Sequence, residues 1–476
     1  MPQSIYDPGY AAFGGGTTGT LLHPLVLAAL LLIGVLVFAL PRKYILFPLF
    51  LGILLVPYGQ NFYVAGNHLF VYRILLLLGW IRVLISVLVS SEELLPGGFG
   101  TLDTLFTVWA FARAIATVLL FMQAGAIAGE VAFLWDAIGG YFLFRCLIRN
   151  EEDILRLLKA FAIVAVVAAT GMVYEQVTRQ NLFAFLGGVR PAPEIRNGRI
   201  RSQGMFAHAL LAGSFGATMF PLFIALWVRG KSWFLGTLGL VAAGVMTFAA
   251  STSTPIMTFM GGVLVLFLWP IRKNMRVLRW GIVAVLVGLE IVMKAPVWFV
   301  LGHIDLSNGS TGNDRAVLID NFIRHFGDWW LIGTHDNVNW GYDMWDQCNQ
   351  FVLEGESGGL IGFACFVAIF TVCFRKIGLA RKAVEGDPKK EWLMWIFGAA
   401  FFAQFMAYFG IDYFDTMKFV WYALLVMITV VTMTPTVATA PVPEPAVPPM
   451  RLQGMRQPAM ARSGGPTTVY SLKGSR

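Results

Sequence analysis

Apolar runs about twenty residues long recur along this chain, and the short connections between them hold most of its charge. A helix crosses the roughly 30 Å hydrocarbon core of a bilayer with about 20 such residues. Within lipid every backbone N–H and C=O must find a partner inside the chain, and a helix meets that demand segment by segment. Runs of this kind cover about 21–40, 44–58, 69–90, 104–122, 131–148, 157–176, 206–228, 233–250, 254–270, 280–301, 358–375, 391–410 and 418–434. They predict an all-α polytopic transmembrane helix bundle of about 12–13 spans, the lower count applying if the short second run is re-entrant. Composition excludes the soluble alternative. The 476 residues are 57% hydrophobic and 13% charged, against about 45–50% and about 25% in soluble domains.

The net charge of +8 is explained by where the cations sit. Arg42-Lys43, Arg145 to Lys159, Arg229 to Lys231, Arg272 to Arg279 and Arg375 to Lys390 fall on alternate connections, as does the tail with Arg451, Arg456, Arg462, Lys473 and Arg476. The positive-inside rule places these on the cytoplasmic side, with the N-terminus outside and the C-terminus inside. Nucleic acid is therefore excluded as a partner, whereas membrane lipids are expected. Residues 1–20 carry only Asp7 as a charge, not the basic start of a signal peptide, so Leu21–Leu40 reads as a retained helix. Cys146, Cys348, Cys365 and Cys373 show no metal-ligand spacing and no disulfide framework.

Two long connections fall on the outer face, 177–205 and 302–357. The first is basic, through Arg179, Arg190, Arg196, Arg199 and Arg201; the second has nine carboxylates against Arg315 and Arg324. The second also holds Trp329, Trp330, Trp340 and Trp345, too aromatic for disorder, and Val317, Leu318, Phe322, Ile323 and Phe326 recur at helical spacing. A folded extracytoplasmic loop subdomain is predicted there. By contrast, the Pro- and Ala-rich segment 435–476 has no means to build a core and is expected to be a disordered cytoplasmic tail. The remaining segments are an extracytoplasmic stretch at 1–20 and the membrane domain at 21–434.

Two constellations carry chemistry. The first is Arg199-Ile-Arg201-Ser-Gln-Gly204-Met-Phe206-Ala-His208. The arginine fork matches phosphate oxygens and stays charged at any working pH. If a helix begins near Arg201, then Arg201, Gly204 and His208 share one face. The alternative is that these arginines contact lipid headgroups or the acidic second loop. The second constellation runs from Gly312 and Arg315 through Leu331-Ile-Gly333 and His335 to Cys348-Asn349, Gly359 and Gly362. An imidazole accepts a proton near neutral pH, so His335 is a candidate base, with a polar loop residue as the alternative. Charges also lie near or within the spans, at Arg73, Arg82, Arg113, Asp136, Glu175, Glu290 and Lys294. Glu290 and Lys294 stand four apart, which predicts a helical ion pair. Arg73 is placed to snorkel, and Arg82 and Arg113 to line a cavity or to pair.

These motifs together resemble the bacterial O-antigen ligase and O-antigen polymerase superfamily. The resemblance rests on Arg-x-x-Gly-x-Phe-x-His at Arg201, Gly204, Phe206 and His208, on Gly-x-x-Arg at Gly312 and Arg315, and on Leu331-Ile-Gly333. It also rests on an Asn followed after nine residues by Gly-x-x-Gly, at Asn349, Gly359 and Gly362. It spans about residues 195–365, and the first half of the chain only by hydropathy. The resemblance implies a glycosyltransferase in the bacterial cytoplasmic (inner) membrane. Such an enzyme moves glycan from an undecaprenyl-diphosphate carrier to an acceptor hydroxyl on a glycan or lipid, with inversion and without a metal or other cofactor. It implies catalytic roles for Arg315 and His335, and substrate binding by Arg199, Arg201, His208 and Asn349. Cys348 stands where the ligases place their functional histidine, and a thiol among carboxylates is a poor base. Polymerase activity is thereby favoured over ligase. A transporter or flippase for lipid-linked glycans and a non-catalytic relative are the alternative classes.

Overall fold

The computed structural model describes residues 19–64, 66–90, 93–230, 232–303, 312–341, 344 and 348–433. The expectations for 1–18, for Trp345 and for the tail 435–476 lie outside the described residues. The first half of the chain forms α1 (Pro24–Ala39), α2 (Arg42–Leu55), β1 (Asn61–Val64), β2 (Asn67–Phe70), α3 (Val71–Ser90), α4 (Thr101–Phe121), α5 (Ala124–Leu134), α6 (Gly140–Leu147) and α7 (Glu151–Thr178). Next come β3 (Glu194–Arg196), β4 (Arg199–Arg201), α8 (Ala209–Val228), α9 (Trp233–Ala249), α10 (Ser253–Phe267) and α11 (Met275–Val292). The last part forms α12 (Gly312–Arg324), α13 (Phe326–Trp329), α14 (Gln350–Ala383), α15 (Pro388–Ala407) and α16 (Met417–Val431).

The chain is an all-α polytopic bundle, and among the described residues its strands form two short antiparallel hairpins, β1–β2 and β3–β4. A helix covers every predicted apolar run. Among the described residues, six helices are long and apolar enough by themselves to cross a membrane, or up to seven if α10 and α11, bent by 78°, make one broken span. That is fewer than the 12–13 expected, because several helices are short, as α1, α9 and α16 are, and α15 opens on Lys389, Lys390 and Glu391.

Helix α8 lies at the centre, buried on nearly all sides. Small residues permit this. A Cβ on Gly213 would stand 2.7 Å from that of Ala250, and one on Gly216 would stand 2.5 Å from the carbonyl oxygen of Ala243. Close backbone approach at small residues is how helices associate where no hydrophobic drive exists between them. Helix α16 is likewise buried over most of its length. Helix α11 is the opposite case, with no buried residue. It ends at Val292, so Glu290 and Lys294 make no ion pair; Glu290 instead accepts from the Val297 N–H at 2.7 Å.

The basic connections gather at one end of the bundle. Arg42 bonds the Leu147 carbonyl and Asp153, Arg229 bonds Glu151, and Arg272 and Arg381 share Glu391. The caps there are local chemistry. Asn150 accepts from the Asp153 N–H at 2.9 Å, and Glu151, Glu152 and Asp153 suit the positive end of the α7 dipole.

The other end carries the loops. Within the second long connection, α12 realises the helical spacing. Leu318, Phe322, Trp329, Trp340, Met344 and Val352 form a second small core, with Phe322 and Trp329 stacked at 4.1 Å. Trp329 and Trp340 are thus buried, whereas Trp330 is exposed.

Helix α14 breaks at Gly359, where φ is +60°, a conformation L side chains rarely adopt. The segment 330–334 lies along the break as a strap. The Leu360 N–H donates to the Trp330 carbonyl at 2.8 Å, and the Thr334 N–H donates to the Glu356 carbonyl at 2.9 Å. Gly333, at φ +88°, sits so close that a Cβ would run into the Glu356 carbonyl. Gly333 and Gly359 therefore have a packing reason: strap and helix backbone touch directly.

Candidate functional site

At the loop end, the last turn of α7 positions the first constellation. The buried Glu175 carboxylate accepts from the Gln203 N–H at 2.9 Å and from the Gly204 N–H at 2.7 Å. Gln176 donates to the carbonyls of Ile200 and Ala249 and to the Ser202 hydroxyl, and Asn181 donates to the Gly204 carbonyl. Buried backbone groups need partners, and here side chains of α7 and of the turn after it supply them. Gly204 has φ +61° and its Cβ position meets only ordinary contacts, so its conformation, not space for a neighbour, accounts for the glycine.

No helix begins near Arg201. Arg201 ends β4, and α8 starts at Ala209 with His208 as its N-cap. Arg201, Gly204 and His208 are therefore brought together by a pinned turn and not by a helical face. The Arg201 side chain is 9% exposed, and its Nη1 donates to Glu194 Oε1 at 3.0 Å, while His208 Nε2 lies 3.7 Å from Glu194 Oε2. The buried Arg201 Nε has no hydrogen-bond partner among the described residues. His208 Nδ1 accepts from the Leu210 N–H at 3.2 Å, which assigns the ring proton to Nε2 and makes His208 a donor toward this site, not a base. Among the described residues, the partner of Arg201 is thus the carboxylate of its own hairpin and not one from the acidic second loop. Arg199, on the same strand, is exposed.

The connection 408–416 between α15 and α16 links this turn to the second constellation. Asp415 is fully buried and accepts from the Ala207 N–H at 3.3 Å and the Met417 N–H at 2.8 Å. Burial pushes its carboxyl up to about 6, opposed by those backbone N–H groups and by Lys418. The Tyr413 N–H donates to Gln350 Oε1, and Gln350 Nε2 donates at 2.7 Å to Glu354. Glu354 is also bonded by Trp109 at 2.6 Å and faces Arg113 at 3.5 Å. On the other flank, Asp136 takes bonds from Arg73, Lys418 and Tyr72 within a π-helical turn at Trp135–Gly139. Arg73 is therefore paired and does not snorkel. Arg113 pairs with Glu354 and lies over the Phe133 ring.

The other predicted residues are placed as follows. Asn349 caps α14, its Oδ1 accepting from Phe351 and Val352 N–H groups; its buried Nδ2 has no partner among the described residues. Cys348 is half-buried beside it, against the main core, and none of the four cysteines forms a disulfide. Arg315 stands half-buried in the first turn of α12. His335 is exposed just beyond the strap, edge-on to Phe121 at 4.7 Å.

Sequence reading passed over Glu194, Tyr413, Asp415 and Lys418. The available signal was a short polar string, Asp412, Tyr413 and Asp415, set between two apolar runs. No family model and no curated protein matches this chain, so what the structure shows is the fold, a multi-pass helical membrane protein with a pinned Arg201–Glu194–His208 cluster at its loop end.

Proposed function

We propose that this protein is a membrane glycosyltransferase that moves glycan from an undecaprenyl-diphosphate carrier to an acceptor hydroxyl, acting as a polysaccharide polymerase or ligase. The observation carrying this reading is Arg201: a buried guanidinium on a turn pinned to α7, with one donor on Glu194 and another without an acceptor. Charge grows on the diphosphate as the glycosidic bond breaks, and a preorganised cation and donors stabilise it without reorganising. His208 Nε2 would add a second donor, Asn349 Nδ2 a third. Arg315 would contribute charge from the loop subdomain, and the accessible His335 would take the proton of the attacking hydroxyl. Three of the deeper cations favour this reading over a flippase, because Arg73 and Lys418 face Asp136 and Arg113 faces Glu354, so none of the three is left as an open cation for a passing headgroup.

The test is the profile of lipid-linked and surface glycans in cells lacking the protein, with wild type and Arg201→Ala restored in parallel. Single repeat units accumulating on the carrier identify a polymerase; long carrier-bound polymer identifies a ligase. An unchanged profile overturns the proposal.

A further inference from the structure

A groove of about 900 Å³ runs along the outside of the bundle between α1 and α2. Its walls are apolar, with Leu25, Leu32 and Leu36 on one side and Phe47, Leu51 and Leu55 on the other. It reaches from Leu186 at the loop end to Lys43, Arg156 and Lys159 at the basic end. The 16 residues of α1 rise about 24 Å, most of the depth of a bilayer's hydrocarbon.

The charge at the basic end is unbalanced. Of the three carboxylates that open α7, Asp153 is bonded by Arg42 and Arg156, Glu152 by Arg156, and Glu151 by Arg229. Lys43 and Lys159 form no ion pair with any described residue; Lys43 lies only over the Tyr44 ring. Lys159 stands eight residues into α7, about 12 Å from its start, where an uncompensated ammonium is costly. A phosphate on an acyl-bearing lipid satisfies both the cations and the apolar walls.

We propose that this groove holds one anionic glycerophospholipid, its acyl chains along α1 and α2 and its phosphate at Lys43 and Lys159. This site is separate from the loop-end cluster and does not depend on the function proposed for it. The test uses the full chain, purified in mild detergent, delipidated, and titrated with dioleoylphosphatidylglycerol or dioleoylphosphatidylcholine under native mass spectrometry. One phosphatidylglycerol per chain should be retained roughly thirtyfold better than phosphatidylcholine, the scale of two interfacial lysines. The Lys43→Gln/Lys159→Gln pair should lose that preference, and Lys43→Arg/Lys159→Arg should keep it. Leu36→Trp should reduce retention with every charge in place. Equal retention of the two lipids, an unchanged preference in the glutamine pair, or its loss in the arginine pair would overturn the proposal. Displacement of phosphatidylglycerol by an equal concentration of undecaprenyl phosphate would also overturn it, by assigning the groove to the polyprenyl carrier.

Discussion

The two loop constellations are built by opposite means. The turn 201–208 is held by side chains reaching to backbone: Glu175, Gln176, Asn181 and Asp415 all bond its main-chain groups or their immediate neighbours. The strap 330–334 is held by backbone touching backbone, which glycines at 333 and 359 permit. Polar anchors fix the buried Arg201 and the half-buried His208 around a half-buried Glu194. Direct backbone contact fixes only the strap and leaves His335 exposed just beyond it. A cation that must meet a growing negative charge gains from the first arrangement, because a low-dielectric, preorganised setting strengthens it. A group that takes a proton from an incoming acceptor gains from the second.

This contrast can be broken at either side. The largest effect is expected at Arg201. Arg201→Ala should lower glycan transfer by about 10²-fold or more, as loss of a preorganised donor does elsewhere, while the protein still inserts. Arg201→Lys should restore only part, because a point charge replaces the fork. Product formation in membranes from the restored strains measures both, and full activity of the alanine variant would end the phosphate-binding role.

The anchors come next. Glu175→Ala leaves two buried N–H groups without partners, at about 1–3 kcal/mol each. Gly333→Val sets a side chain against the Glu356 carbonyl at positive φ, and should cost on the order of 3 kcal/mol or more. Thermal unfolding followed by tryptophan fluorescence ranks the two. Limited proteolysis should separate them, with cleavage near 200 in the first and near 335 in the second.

A smaller and more diagnostic effect is pH dependence through Asp415. Its carboxyl titrates near 6 in the folded chain against about 3.9 when unfolded, so the folded state binds the proton more tightly. The stability this supplies is complete below about pH 4 and is lost as pH rises through 6, with a span of up to about 3 kcal/mol. The Asp415→Asn variant should flatten the unfolding midpoint between pH 4 and pH 6; an unchanged slope would assign the titration elsewhere. The smallest effect is expected for Cys348→Ser. The thiol is half-buried and makes no disulfide, so most transfer activity should survive.

Much of the architecture was legible without coordinates, because lipid imposes a length and a periodicity that any helix must show in its composition. The apolar runs and the basic connections of one end followed from that constraint, and the loop helix followed from the helical spacing of Val317, Leu318, Phe322, Ile323 and Phe326. The candidate site was legible only in part. Arg201 and His208 could be named from spacing, yet the shared carboxylate Glu194 and the turn that joins them could not. A helical face was expected where a left-handed glycine and a cap occur instead.

What the sequence alone determined is therefore the class of fold, the ends at which charge collects, and the residue types available for chemistry. Hydropathy is a sum over neighbours in the chain and reports such properties directly. What only the tertiary structure decided is pairing: Arg73 and Lys418 on Asp136, Arg113 on Glu354, Tyr413 on Gln350, Ala207 on Asp415. These partners come from distant parts of the chain. Whether a buried cation is neutralised or left available for a ligand depends on which carboxylate the fold brings within a few ångströms, and no local pattern records that distance.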